Sequence, residues 1–136
     1  MKRRMKIISV IHMLCAVTVL IAGCAGILVG AGVGAGAIAY IKGESIRTYD
    51  FPIREVALAA QKTFLALEIS ATGTSIGEIE STLEGAMKDE SKVVIKMNAK
   101  TAKTTVVKVR VGVMGNEDIS QRIHDEILKI LKSGTI

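Results

Sequence analysis

From Ile7 to Ile41 the chain carries no Lys, Arg, Asp or Glu, and from Lys42 onward charged and apolar residues interleave. No other feature restricts the fold as strongly. A long charge-free run suits a membrane or a secretion signal, whereas interleaving is what a domain with a wet and a dry face requires. The chain therefore divides near Lys42 and Gly43. The division also redistributes the formal net charge of +5. Lys2, Arg3, Arg4 and Lys6 are four of the 18 basic residues, and all 13 acidic residues follow Lys42. Beyond that point 14 basic residues face 13 acidic ones. Such a balance leaves no excess to neutralise phosphates, and two Phe, two Tyr and no Trp offer few surfaces for base stacking. Nucleic acid is not an expected partner.

Residues 1–23 have the parts of a secretory signal: the basic tip MKRRMK, the apolar core IISVIHMLCAVTVL and small residues before Cys24. The apolar core favours helix and is short of the ~20 residues that span a bilayer. Ile21, Ala22, Gly23 and Cys24 resemble the lipobox of bacterial lipoproteins, an aliphatic residue and two small ones before Cys. The resemblance implies a diacylglyceryl group on the Cys24 sulfur and cleavage between Gly23 and Cys24. The residue types fit that chemistry, because small side chains open the backbone to a protease and a thiol is the nucleophile for the lipid. Membrane lipid, attached through Cys24, is thus an expected partner. Cys15 lies inside the apolar core as a small hydrophobe. Ala25, in place of the Asp that retains many lipoproteins at the inner membrane, implies an outer-membrane protein facing the periplasm.

Residues 24–42 hold a Gly/Ala-rich segment in which Gly26, Gly30 and Gly34 recur every four residues. Two readings stand. On a helix this spacing makes one small-residue face, where a second copy can approach closely, so Gly26 to Gly36 would drive self-association in a membrane. Glycine also costs about 1 kcal/mol relative to alanine in a helix interior, which favours a simple tether. In an uncut chain both apolar pieces would join as one helix reaching near Tyr40.

Residues 43–136 read as a folded domain. Glu44 to Asp50 is a strand candidate, and Asp50 is placed to cap a helix begun at Phe51-Pro52. Ile53, Val56, Ala57, Ala60, Phe64 and Leu67 recur at helical spacing. Period two then takes over in Ile69–Ile76, Glu78–Glu84, Lys92–Lys100 and Thr104–Met114. Inward positions are Ile79, Ser81 and Leu83, then Val93, Ile95, Met97 and Ala99, then Val107, Val109, Val111 and Val113. One-sided alternation points to antiparallel strands with a solvated face. Asn116 is a good N-cap for a last helix with the stripe Ile119, Ile123, Ile127, Ile130 and Leu131. Asp118–Arg122 and Asp125–Lys129 are spaced to pair on its wet side. The expected fold is α+β: a two-layer sandwich of about five antiparallel strands, in the order β-α-β-β-β-β-α, with both helices on one face, preceded by an apolar signal or anchor helix.

With the lipobox and this order of elements, AYIKGE after the glycines and VRVGVMGNEDISQRIHDEI near the end complete a resemblance. The chain is similar to the small bacterial lipoproteins known as domain of unknown function thirty-five sixty-eight, from the signal to Leu131. Gly43-Glu44 and the Arg-Val-Gly strand end are among its marks. The first helix lacks the early aromatic residue of that family, with Ala57 near the place, and Phe51 and Pro52 replace its Ser-type cap. The resemblance implies location and fold and supplies no activity.

Catalysis needs a poised acid, base, nucleophile or metal. His124 is expected at the border of the wet face of the last helix, and Cys24 is taken up by lipid. No set of metal-ligand residues recurs at short spacing, so neither a metal nor a cofactor is expected. GAGVGAG has no following Lys-Ser/Thr and is not a phosphate loop. The chain is expected to be no enzyme. Lys92, Lys96, Lys108 and Arg110 fall on one strand face and are the candidate binding surface for an envelope protein or other envelope component.

Overall fold

A computed structural model of the protein describes residues 37–134. The signal, Cys15, the lipobox with Gly23 and Cys24, and Gly26, Gly30 and Gly34 lie outside the described residues. The elements in chain order are β1 (Ile38–Ile41), β2 (Glu44–Tyr49), α1 (Ile53–Ala66), β3 (Ser70–Ile76), β4 (Glu80–Ala86), β5 (Lys92–Thr101), β6 (Thr104–Val111) and α2 (Glu117–Ser133).

Six strands form one open sheet in the order β1-β2-β6-β5-β4-β3, and every neighbouring pair is antiparallel. The sequence leads one to expect five. The sixth is β1, cut from the end of the apolar run. Its hairpin partner is β2, reached through Lys42 at φ 51° and Gly43 at φ 81°. Two successive positive φ angles suit a two-residue hairpin turn, whose twist matches that of the strands. Ile38, Ala39 and Tyr40 are therefore extended, and no helix reaches them.

Alternation decides the two faces. Val93, Ile95 and Met97 of β5, and Val107, Val109 and Val111 of β6, are buried on the inner face with Leu83 of β4. They meet Val56, Ala57, Ala60 and Phe64 of α1 and Ile123, Ile127 and Leu131 of α2 in one core. Helix α1 lies over β3, β4 and β5, α2 lies over β2 and β6, and the two helices pack on each other. This is the expected two-layer α+β arrangement, with both helices on one face.

Several local expectations differ from the structure. The N-cap of α1 is Pro52, extended at ψ 146°, and no side chain caps the helix, so Asp50 does not. The Pro52 carbonyl accepts from the Val56 amide at 3.1 Å and starts the helical ladder. Val113 is 88% exposed because β6 stops at Val111 and Gly112, at φ 72°, breaks the alternation. Ile79 is 73% exposed because it sits in the turn before β4 begins. Asp125 does not pair with Lys129. It bonds Arg47 of β2, and Lys129 reaches Glu126 instead. The expected end of α2 is as the sequence suggests: Asn116 Oδ1 accepts from the Ile119 amide at 3.1 Å, and Gly134 closes the helix at φ 64°.

Candidate binding face

The sheet face turned away from the helices is where alternation sends the polar residues of β5 and β6. Register places Lys96 directly opposite Lys108, and Val94 opposite Arg110. Two like charges set cross-strand are unfavourable by a few tenths of a kcal/mol to about 1 kcal/mol. Neither Lys96 nor Lys108 has an ion-pair partner among the described residues. Lys92 is anchored by Glu84 at 3.0 Å, and Arg110 donates through Nη2 to the Val113 carbonyl at 2.9 Å. The Lys92–Glu84 pair is well exposed and adds little stability.

All four sequence candidates, Lys92, Lys96, Lys108 and Arg110, line one cleft of about 260 Å³. Val94, Glu44 and Glu84 complete its lining. A second cleft of about 520 Å³ shares Lys92, Val94 and Arg110 and continues to Gly112 and Val113. The arrangement can hold an anionic group over the Lys96–Lys108 pair, where an anion would cancel the repulsion that the bare sheet carries.

A different cluster escapes sequence reading. His124, expected near the wet border of α2, is fully buried. Its Nε2 donates to the Ser45 carbonyl at 3.0 Å, which leaves Nδ1 as the acceptor facing the Tyr49 hydroxyl at 2.8 Å. The same hydroxyl lies 3.0 Å from the His124 carbonyl. Arg47 stacks its guanidinium 5.6 Å from the Tyr49 ring centre and bonds Asp125 at 3.2 Å. Burial holds the His124 imidazole at a pKa of about 4, and it pushes the Tyr49 phenol well above its ordinary range. Both groups are thus neutral at pH 7. With both ring nitrogens engaged, His124 cross-links α2 to β2.

The hydroxyls of Ser45 and Ser120 and the Nε of Arg47 are buried with no hydrogen-bond partner among the described residues. One seam between β2 and α2 is therefore polar, with three buried polar atoms left unpaired. The signal for it was positional. Ser120 and His124 fall inside the stripe that runs through Ile123, Ile127 and Leu131.

The two sequence stretches AYIKGE and VRVGVMGNEDISQRIHDEI meet in space. A side chain on Gly115, at φ 85°, would lie 2.5 Å from both the Gly43 Cα and the Tyr40 hydroxyl. Only two glycines permit the β1–β2 turn to touch the loop before α2 so closely.

Among the described residues no three His, Cys, Asp or Glu side chains could hold a metal ion, and no helix is long and apolar enough to cross a membrane. No curated protein matches the chain. Residues 6–129 match the sequence model of one family, a span that takes in the charge-free run, the meeting turns and most of α2. The chain belongs to the family described as Protein of unknown function (DUF3568).

Proposed function

We propose that the protein is a membrane-anchored bacterial lipoprotein, held through Cys24, whose domain is a non-catalytic envelope-binding or structural module. On this reading it takes neither metal nor cofactor, sits in the outer membrane facing the periplasm, and presents its outer sheet face to an anionic envelope component. The observation that carries the binding part is the gathering of Lys92, Lys96, Lys108 and Arg110 in one cleft, with Lys96 and Lys108 set opposite each other. The basic tip, apolar core and IAGC in series carry the anchoring part. Two or three acyl chains, at about 0.8 kcal/mol per buried CH₂, hold a protein firmly at a bilayer.

Growth with a clickable palmitate analogue tests the anchor. Wild type takes the label and Cys24→Ser does not; equal labelling of both removes the lipoprotein reading. Crosslinking from native envelopes tests the face. Lys96→Glu with Lys108→Glu loses the partner that wild type captures.

The spacing of Gly26, Gly30 and Gly34 favours a second reading, a membrane-inserted protein that oligomerises through a glycine zipper. On that reading the detergent-solubilised assembly falls apart when these glycines become leucine, and it does so whether or not Cys24 is lipidated.

A further inference from the structure

The far edge of the sheet has features that neither reading uses. Strand β3 is the edge opposite β1, and all seven of its residues, SATGTSI, are exposed. An unpaired strand edge offers a row of amides and carbonyls to another strand, and proteins commonly guard such an edge with charge or proline. β3 has neither. Its one protective device is an irregularity between Ala71 and Gly73, which leaves Gly73 to Ile76 in regular register.

The helix above that edge carries uncovered apolar side chains. Leu65 is 80% exposed and Leu58 40%, and a spacing of seven residues puts them on one face of α1. Helix α1 is the helix that lies over β3, with α2 on its other side. Ile76 pairs with the buried Ser81, so it belongs to the same helix-side layer, and it too is exposed.

We infer that β3 is the interface for a second copy of this chain, joined antiparallel about a two-fold axis normal to the sheet. The charge pattern suits a copy of the same strand. A two-fold axis sets each strand against itself, so any charged residue near the axis would face its own like charge. β3, from Ser70 to Ile76, carries none to oppose. The symmetry also accounts for the leucines. With the axis normal to the sheet, both copies keep their helices on the same side, and the two α1 helices run side by side across the seam. Leu58 and Leu65 of each copy then bury against those of the other. The two cationic clefts lie on the opposite side of the sheet, clear of the interface.

Sedimentation of the full chain in mild detergent, over a range of protein concentration, is the test. Wild type is a dimer. Thr74→Lys with Ser75→Lys puts charges at two exposed positions and weakens the dimer by on the order of tenfold or more, without lowering the thermal midpoint of the fold. Gly26→Leu, Gly30→Leu and Gly34→Leu together leave the dimer intact. A monomeric wild type, a dimer indifferent to the β3 lysines, or a dimer lost only with the glycine changes overturns the inference. The last outcome would at the same time support self-association through the glycine zipper.

Discussion

The Tyr49 hydroxyl sits 2.8 Å from Nδ1 of His124 and 3.0 Å from the carbonyl of the same residue, so one proton serves two acceptors. This pair ties the first long strand of the sheet to the last helix across 75 residues of sequence. It makes their seam directional where the apolar side chains of the core are held by shape alone.

Acid should loosen that seam. The His124 pKa falls from an ordinary 6.5 to about 4 in the folded chain, chiefly because burial disfavours the imidazolium, with Arg47 adding repulsion. The Ser45 carbonyl and Asp125 oppose the shift. The unfolded chain therefore binds a proton between these two values while the folded chain does not. The stabilisation is complete above pH 6.5 and is lost as pH falls through the window to about 4. It amounts to on the order of 3 kcal/mol. Urea unfolding from pH 7.5 to 4, with His124→Gln as reference, measures it. A wild-type curve parallel to the variant's across that window would mean that His124 titrates normally.

Tyr49→Phe removes the hydroxyl and keeps the ring. It leaves Nδ1 of a buried histidine without a donor, which costs about 1–3 kcal/mol. The midpoint of denaturation should fall at pH 7 with its slope unchanged. Tyr49 is only 2% exposed, so solvent cannot readily replace the lost partner.

Neighbouring residues on β6 should respond in opposite ways. Val109 is fully buried between Ser45 on β2 and Ile95 on β5. Val109→Asp puts an unpaired carboxylate there and abolishes the cooperative thermal transition, at a cost of several kcal/mol. Lys108→Asp faces Lys96 from the outer side and replaces a repulsion with an attraction, a gain of a few tenths of a kcal/mol to about 1 kcal/mol. Calorimetry of both variants checks the register. Equal loss in both would place Lys108 in the core.

Gly115→Ala should separate the two meeting turns. Its methyl group would collide with the backbone of Gly43 and the Tyr40 hydroxyl, and φ 85° is costly for any residue with a Cβ. The β1–β2 turn must move away, so amide exchange of Lys42 and Gly43 rises before the core unfolds. Unchanged exchange there would show that the contact carries no strain.

Much of the fold was legible because long amphipathic elements repeat their signal. Helix α2 was readable from Asn116 to Gly134 and strands β5 and β6 from strict alternation, and these elements alone set the cationic face. What failed was short or long-range. The β1 strand is four residues cut from a run with no polar alternation, so nothing local separates IAYI from the segment before it. Val113 continues the alternation on paper, yet Gly112 turns the chain before it can point inward. His124 occupies a buried helical position, but its polarity argues for the surface until Tyr49 and Ser45 are known to stand opposite. Arg47–Asp125 joins residues 78 apart, and no spacing rule reaches that far.

The strand order has a consequence in time. β2 finds its only partner besides β1 in β6, with Ser45 beside Val109, while β3, β4, β5 and β6 follow one another as neighbours. A ribosome makes the β1–β2 hairpin first, yet that hairpin has no place to dock until the chain has grown by about sixty more residues. The meander from β3 to β6 and helix α1 can gather locally in the interval, because their contacts close short loops. The earliest strands to emerge are thus among the last to be seated. Through that interval the hairpin stays an open edge, directly joined to the charge-free run, and is exposed to pairing with the wrong strand.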